Sequence, residues 1–243
     1  MGAAMRGVKN SVRQASRDIY DTPNYSVAEA AGFLFLPTAT LRSWVAGRDY
    51  PTASGTKRFR PILRIESGRP ALLSFRNVVE AHVLSAIRRE HGVELREVRR
   101  ALDYVGREFA SAHPLADHEF QTDGIHLFVE KYGHLVNASE QGQIVMRELL
   151  EAHLRRIDRN PSGVPIRLYP FTRFRDIDEP RPVSIDPKIA FGRPVLSGTG
   201  IPTEVVADRF NAGETIDELA EDYGRTRGEI EEAIRFERHA EAA

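Results

Sequence analysis

The sequence contains no cysteine, and it has only one tryptophan and three methionines among 243 residues. A chain without cysteine forms no disulfide, no iron–sulfur cluster and no thiolate zinc site, which is typical of a reducing cytoplasm. Long apolar runs are missing as well. The longest candidate, Ala31 to Leu36, is far shorter than the roughly 18 residues that span a membrane. We therefore expect a cytoplasmic protein without a membrane segment.

Recognisable catalytic patterns are also absent. The eight histidines are scattered and show neither the HxH nor the HxxxH spacing of metal hydrolases. No nucleophile elbow occurs, and the carboxylates lie on predicted helix faces beside lysine or arginine. We expect no catalytic residue, no metal site and no cofactor. An enzyme whose catalytic residues are distant in sequence stays an open alternative.

Charge is distributed unevenly along the chain. Residues 1–110 contain 18 Lys and Arg against 11 Asp and Glu, a net charge of +7. Residues 111–175 contain 8 of each and are neutral, whereas residues 176–243 contain 8 basic and 16 acidic residues, a net charge of −8. This polarity favours a polyanion as the partner of the N-terminal part, and it disfavours one for the C-terminal part.

Helix-capping signals predict two short helices near the N-terminus. Ser26 and Glu29 have the spacing of a capping box, which predicts that the first helix begins there. A second helix, capped by Thr38 or Thr40, should end at Gly47. Two short helices joined by a tight connection form a helix-turn-helix.

The segment 50–70 lacks the helical pattern of the residues before it, since it contains three prolines, two glycines and short apolar runs. This pattern predicts a β-hairpin, which would act as a wing beside the helix-turn-helix. We expect Phe59 to be the apolar anchor that seats the wing. The leading edge of the wing carries Lys57, Arg58, Arg60 and Arg64.

These parts suit DNA binding. A recognition helix presents small polar and basic side chains to the major groove from its first turns, while a basic wing reaches phosphates or the minor groove. A helix-turn-helix used only for packing is the alternative. The expected DNA contacts are Thr38, Thr40, Arg42, Ser43, Lys57, Arg58 and Arg60.

Further elements follow from apolar periodicity and turn signals. The fold class that we predict is mainly α with small β-hairpins. The expected elements are helices at 75–90 and 95–109, the first of them ended by Gly92, a second hairpin from Ile125–Val129 and His134–Val136, a helix at 143–157, a strand at 166–171 and a linker at 173–182.

The C-terminal segment combines a Gly/Pro-rich loop, 191–202, with three short predicted helices at 203–211, 215–222 and 227–238. The second and third helices each begin at a capping-box pattern. They could form another DNA-reading unit, but four glutamates crowd the third helix and would face phosphates. A protein partner with a basic surface fits this charge better.

Two motifs flank the basic wing: Thr40-Leu41-Arg42-Ser43-Trp44 before it and Leu73-Ser74-Phe75-Arg76-Asn77 after it. With these motifs, residues 25–105 resemble the winged helix-turn-helix of MerR-type regulators. The resemblance implies that Arg42, two residues before the aromatic side chain, contacts the DNA backbone. It also implies that Trp44 is a DNA contact at the backbone, with a role in the core as the alternative.

A different set of motifs marks the C-terminal part: Ile185-Asp186-Pro187, Phe191-Gly192-Arg193-Pro194-Val195, Ser197-Gly198-Thr199-Gly200-Ile201-Pro202 and the stretch from Gly213 to Tyr223. Residues 183–240 resemble the antitoxin-associated family known as domain of unknown function 433. The resemblance implies a VapB-type antitoxin whose partner is a PIN-like ribonuclease toxin. The expected partner-binding residues are Phe191, Arg193, Pro194, Ser197, Thr199, Ile201 and Pro202.

Four units are therefore predicted: a flexible basic arm (1–22), a winged helix-turn-helix (23–110), a middle connector or dimerisation module (111–175) and a partner-binding domain (183–243). We expect a homodimeric antitoxin that binds operator DNA, represses its own operon and blocks a toxin. The alternative is a one-component MerR-like regulator whose middle module binds an effector or dimerises.

Overall fold

The computed structural model describes residues 18–52, 55–66, 70–89, 95–136, 139–173 and 180–241. Most of the predicted basic arm, Gly92 at the predicted end of a helix, and residues 174–179 of the predicted linker lie outside the described residues. The described part is mainly helical, with small two-stranded antiparallel sheets. The predicted fold class is therefore confirmed.

The elements are numbered here in chain order. The helices are α1 Val27–Phe33, α2 Thr38–Ala46, α3 Phe75–Arg89, α4 Leu95–Glu108, α5 Ile125–Val136, α6 Glu140–Leu154, α7 Thr203–Asn211, α8 Ile216–Tyr223 and α9 Arg227–Glu241. The strands are β1 Tyr25–Ser26, β2 Arg48–Thr52, β3 Gly55–Phe59, β4 Leu72–Leu73, β5 Ile157–Arg159, β6 Pro165–Leu168, β7 Val183–Ser184 and β8 Val195–Leu196.

The helix-turn-helix consists of α1 and α2. The capping box is formed, because the Ser26 hydroxyl accepts from the Glu29 N–H at 3.1 Å and the Glu29 carboxylate accepts from the Ser26 N–H at 2.8 Å. At α2 the prediction that Thr38 or Thr40 is the cap was wrong. Pro37 is the N-cap, with φ −54° and no side-chain capping bond, so both threonines already lie inside the helix.

The turn between α1 and α2 contains an unusual backbone conformation. Phe35 has φ +51°, in the left-handed region that favours glycine. A non-glycine residue held there costs of order 1–3 kcal/mol, so the surrounding structure has to stabilise it.

The wing forms as predicted but is shorter. Strands β2 and β3 pair antiparallel from Arg48 opposite Phe59 to Thr52 opposite Gly55. The apolar residues further along do not extend the hairpin. Instead, Leu73 of β4 pairs with Tyr25 of β1, which closes the helix-turn-helix against the start of α3.

The predicted second hairpin, Ile125–Val129 with His134–Val136, was wrong, because this segment is the single helix α5. Gly133 falls in the turn that this hairpin would need, but in the structure it is a point of close approach between α5 and α6. A Cβ at Gly133 would lie 2.7 Å from Cδ of Gln143. The buried residues of α5 have helical spacing, namely Ile125, Phe128, Val129, Tyr132 and Gly133.

One hydrophobic core extends from Tyr20 to Ile185 and contains side chains of both predicted units, 23–110 and 111–175. Helix α3 packs on α6, and α4 packs on α5. A second, smaller core lies within the C-terminal segment, between β8 and helices α7, α8 and α9.

The three C-terminal helices begin as predicted. Thr215 and Glu218 form a complete capping box at α8. At α9, the Thr226 N–H donates to the Glu229 carboxylate at 2.9 Å, and the Glu229 N–H donates to the Thr226 hydroxyl at 3.3 Å. Gly224 ends α8 in the left-handed conformation, at φ +59°.

Helix α9 is bound to the rest of the molecule by a buried carboxylate, Glu232. Its oxygens accept from the Thr172 hydroxyl at 2.5 Å and from the Arg173 Nε at 2.9 Å. Arg235, one turn along, also donates to it. Burial alone would raise the pKa of Glu232, but these hydrogen bonds outweigh it and hold the pKa below the ordinary value of 4.5.

We expect the Glu232 network to make stability fall in acid. Because the pKa is lower in the folded chain than in the unfolded chain, the contribution of Glu232 is complete above pH 4.5 and is lost as the pH falls through the folded value. Glu232→Gln should lower the free energy of unfolding at pH 7 and flatten its decline below pH 4.5, measured by urea unfolding. The exposed Glu231→Gln on the same helix is the control, and an equal effect there would refute the assignment.

Candidate nucleic-acid interface and partner surface

The first two turns of α2 carry the polar residues that were predicted to contact DNA. Arg42 is exposed, and Thr38, Thr40 and Ser43 are half-buried. The Ser43 hydroxyl donates to the Thr40 carbonyl at 2.7 Å, which fixes its rotamer and leaves its lone pairs as acceptors. The helix therefore offers one guanidinium and a row of small hydroxyl groups.

Trp44 does not belong to this surface. Its side chain is 0% exposed and packs in the main core together with Leu41 and Val45. The spacing of these three residues places them on one face of α2, opposite Arg42. A fully buried side chain cannot reach DNA, so the assignment of Trp44 to the DNA contacts is corrected to a core role.

The wing carries its positive charges beside the end of α2. Arg58 donates to the Ala46 carbonyl at 3.2 Å, and its guanidinium lies 3.4 Å from the Asp49 carboxylate. Both side chains of this ion pair are largely exposed, so it contributes little stability. Lys57 and Arg60 are exposed.

Backbone hydrogen bonds attach the wing firmly to α2. The N–H groups of Ile62 and Leu63 both donate to the Trp44 carbonyl, at 2.7 and 3.0 Å. The last carbonyls of a helix have no partner within the helix, and here the chain that leaves the wing supplies the donors. Helix α2 and the wing therefore form one unit, in which Arg58 lies beside the end of α2.

A cation–π contact seats the base of the wing at Phe59, where the sequence predicts an apolar anchor. The Arg99 guanidinium of α4 lies 4.4 Å from the centre of the Phe59 ring and donates to the Pro61 carbonyl at 3.2 Å. It also donates to the Arg60 carbonyl. Partial burial lowers the pKa of Arg99 below the usual value for arginine. The role of Arg99 was not predicted, because it follows from a contact between distant segments.

Arg48 is a second basic residue near α2 and the wing that was not among the predicted DNA contacts. It is exposed and begins β2 directly after Gly47, where the chain leaves α2. Its position directly after the glycine that ends α2 places an exposed positive charge next to the wing charges.

Phe191 has the most exposed ring on the predicted partner surface. Its side chain is 90% exposed, while its backbone is left-handed, at φ +56°. The Asn24 side-chain amide donates to the Phe191 carbonyl at 2.9 Å. A Cβ at Gly192 would lie 2.2 Å from the Tyr25 hydroxyl oxygen, so the loop is pressed against the start of the helix-turn-helix.

Two polar residues of the Gly-rich loop, Ser197 and Thr199, form hydrogen bonds with backbone groups of the loop and of the chain before it. The Thr199 hydroxyl donates to the Leu196 carbonyl at 2.7 Å and accepts from the Ile201 N–H at 3.0 Å. The Ser197 hydroxyl donates to the Arg181 carbonyl at 2.5 Å.

The apolar residues among those predicted to bind the partner, other than Phe191, also have roles in the fold. Pro194 is buried, and its carbonyl accepts from the Thr203 N–H at 3.1 Å. Ile201 packs against the C-terminal core, and Pro202 is the N-cap of α7. Of the seven residues predicted to bind the partner, only Phe191 and Arg193 are thus exposed.

Arg193 lies at the edge of a cleft between the loop and α1. Its guanidinium forms an ion pair of 2.7 Å with the Glu204 carboxylate, and both side chains are exposed. The cleft has a volume of about 200 Å³. It is lined by Glu29, Phe33, Arg193, Pro194, Pro202, Thr203, Glu204 and Glu237.

Two negative findings apply to the described residues. Within them, no group of three or more histidine and carboxylate side chains is placed to hold a metal ion. None of the helices described is both long enough and apolar enough to cross a membrane.

The fold and these surfaces define a winged helix-turn-helix protein that carries an additional small helical domain. Residues 23–102 match the family described as "Putative DNA-binding HTH domain", and residues 183–236 match "Protein of unknown function (DUF433)". The chain is 32% identical over 234 residues to "Putative antitoxin VapB45" of Mycobacterium tuberculosis, covering 88% of this chain and 94% of the relative. It therefore belongs to the VapB-type antitoxin family with a helix-turn-helix and a DUF433 domain.

Two more distant similarities cover most of the chain. "Uncharacterized protein Rv2308" of the same organism is 23% identical over 226 residues, which is 89% of this chain and 90% of that protein. The crystal structure of Rv2018 from Mycobacterium tuberculosis superposes with a TM-score of 0.63 at 24% identity, covering 89% of this chain and 100% of that one. The superposition supports the fold.

Proposed function

We propose that this protein is the antitoxin of a type II toxin–antitoxin system. It acts as a homodimer and is not an enzyme. It represses its own operon through the winged helix-turn-helix, and it neutralises a PIN-like ribonuclease toxin through the C-terminal domain. The observation that carries the proposal is the attachment of the basic wing to α2, on the same chain as a DUF433 domain. The relative named as an antitoxin supports it.

In this proposal the DNA face has two parts. Thr38, Thr40 and Ser43 enter the major groove from the start of α2, and Arg42 binds the phosphate backbone. Lys57, Arg58 and Arg60 of the wing contact phosphates or the adjacent minor groove. The hydrogen bonds between the wing and α2 support this assignment, because they hold both parts in one orientation before DNA binds.

The partner face is centred on Phe191 and Arg193. An exposed aromatic ring on a firmly held backbone is the type of residue that dominates interfaces between proteins. The C-terminal segment, 176–243, carries a net charge of −8 and so complements a basic ribonuclease surface.

Arg42→Ala should weaken DNA binding without changing sequence preference. We expect the slope of log affinity against log salt to fall by about 1, since one phosphate contact is lost. The measurement is a fluorescence anisotropy titration at several salt concentrations, with the duplex upstream of the protein's own gene and a shuffled duplex.

Arg155→Ala, an exposed arginine at the end of α6, removes the same charge far from α2 in sequence and is the matched control. If Arg42→Ala and Arg155→Ala have the same salt slope as the wild type, Arg42 lies outside the interface. Absence of binding by the wild type would refute the DNA half of the proposal.

A second candidate function rests on a cavity of about 180 Å³ where the chain after the wing, α3, α4 and segment 111–115 meet. The buried Glu80 lines this cavity, and its carboxylate is 2.9 Å from Nδ1 of His113. Burial raises the pKa of Glu80 despite this contact. Such a site would suit an effector of a one-component regulator. DNA affinity that depends on a small molecule, without any effect of a co-encoded protein, would favour this function.

A further inference from the structure

We infer that α9 of the C-terminal domain positions the recognition helix α2, through contact of Phe236 with Phe35 in the turn of the helix-turn-helix. The inference rests on the proposed DNA binding. It makes Phe35 and Phe236 positioning residues, which act on DNA affinity through α2 without touching DNA.

The turn between α1 and α2 sets the orientation of α2 relative to α1. The Phe35 N–H donates to the Gly32 carbonyl at 3.0 Å, and the Leu36 N–H donates to the Ala31 carbonyl at 2.9 Å. Between these bonds the backbone passes through the left-handed conformation of Phe35. Because this conformation is unfavourable for phenylalanine, the contacts of its side chain help to decide whether the turn persists.

Those contacts come from the other end of the chain. The Phe35 ring centre is 5.4 Å from that of Phe236 and 5.1 Å from that of His239, both on α9. Phe35, Phe236 and Val183 of β7 form a separate buried cluster. Phe236 is 0% exposed, so it can influence DNA binding only indirectly.

Helix α1 is held by the same face of α9. A Cβ at Gly32 would lie 3.0 Å from the Ala240 carbonyl oxygen and 3.4 Å from its Cβ, so the two helices are in close contact. The residues on this face recur at helical spacing, namely Glu232, Phe236, His239 and Ala240. Glu232, at one end of the face, is bound to Thr172 and Arg173.

Helix α9 is thus fixed to the segment that follows β6 on one side and to the turn on the other. The orientation of α2 therefore depends on the C-terminal domain as well as on α1. A change in the position of α9 would move or loosen α2 while leaving the wing charges unaltered.

Phe236→Ala should lower affinity for the duplex upstream of the protein's own gene by about fivefold, as expected for the loss of an aromatic pair. The salt slope should stay at the wild-type value, unlike that of Arg42→Ala. Phe236→Leu should restore most of the affinity. Hydrogen exchange without DNA should be faster in α2, 38–46, and unchanged in α3, 75–89.

The variant Phe35→Gly distinguishes the role of the Phe35 side chain from the role of its backbone conformation. Glycine adopts φ +51° readily, so a role limited to the backbone turn predicts unchanged or tighter DNA binding. The inference predicts a loss similar to that of Phe236→Ala, and a double variant no weaker than either single one. Val129→Ala, buried on α5, which packs on α4 and α6, is the control for general destabilisation and should leave α2 exchange unchanged.

The outcomes distinguish this inference from the proposed function. If the wild type binds DNA but Phe236→Ala and Phe35→Gly bind equally well, the inference is overturned and the proposed function stands. If the wild type binds no duplex, the DNA function fails and hydrogen exchange decides the inference: faster α2 exchange in Phe236→Ala supports it, and unchanged exchange refutes it.

Discussion

Gly47→Ala is expected to lower the free energy of unfolding by about 3 kcal/mol, since both backbone strain and a clash oppose it. Gly47 has φ +73° and ψ −179°, a conformation that glycine alone adopts readily. A Cβ there would lie 2.3 Å from the Phe59 carbonyl oxygen, a backbone atom of the wing. The variant should therefore separate the wing from α2 and also weaken DNA binding.

Two glycines provide matched controls for this effect. Gly55 in the same hairpin has φ +114° but open space around its Cβ position, so Gly55→Ala introduces strain without a clash. Gly200 has neither feature, and Gly200→Ala should be close to neutral. Urea unfolding followed by the fluorescence of the single tryptophan, Trp44, measures all three. If Gly47→Ala lowers the free energy of unfolding no more than Gly55→Ala does, the predicted steric clash at Gly47 is contradicted.

Phe191→Ala should weaken binding of the toxin by about 2 kcal/mol, or roughly thirtyfold, as expected for an aromatic residue at the centre of an interface. Because the ring is 90% exposed in the free protein, its removal should leave stability nearly unchanged. The measurement is calorimetric titration of the full-length chain with the protein encoded by the adjacent gene.

Ile144→Ala on α6 is the matched control, since Ile144 is an exposed apolar residue (43%) outside the C-terminal domain. It should bind the toxin like the wild type. Equal affinity of Phe191→Ala and the wild type would remove Phe191 from the partner surface. Failure of the wild type to bind the co-encoded protein would refute the toxin half of the proposed function.

Several features of the fold were predictable because their causes are local. The starts of α1, α8 and α9 follow from capping boxes, in which a side chain bonds a backbone group three residues away. A hairpin was predicted within 50–70 from its glycines and prolines, and it forms at 48–59. The error at 125–136 arose because Gly133 resembles a turn signal locally, whereas its small size serves a contact between α5 and α6.

In the candidate sites, too, residue type and spacing were predictable locally, whereas burial depended on the tertiary structure. Arg42 and the wing residues were selected by residue type and spacing, and the structure places Arg58 beside α2. Trp44 was assigned to the DNA contacts through the motif that it shares with MerR-type regulators, whereas its side chain lies on the buried face of α2 with Leu41 and Val45. In the Gly-rich loop, motif membership did not separate Phe191 and Arg193, which are exposed, from residues that stabilise the loop.

The order of the chain was sufficient to infer a basic helix-turn-helix near one end and an acidic capped helical segment near the other, since charge and caps depend on residues that are neighbours. Packing alone brought Phe236 against Phe35 and Asn24 against Phe191, pairs that lie far apart along the polypeptide. Such contacts arise from the way the helices bury their apolar faces together, and no local pattern encodes them.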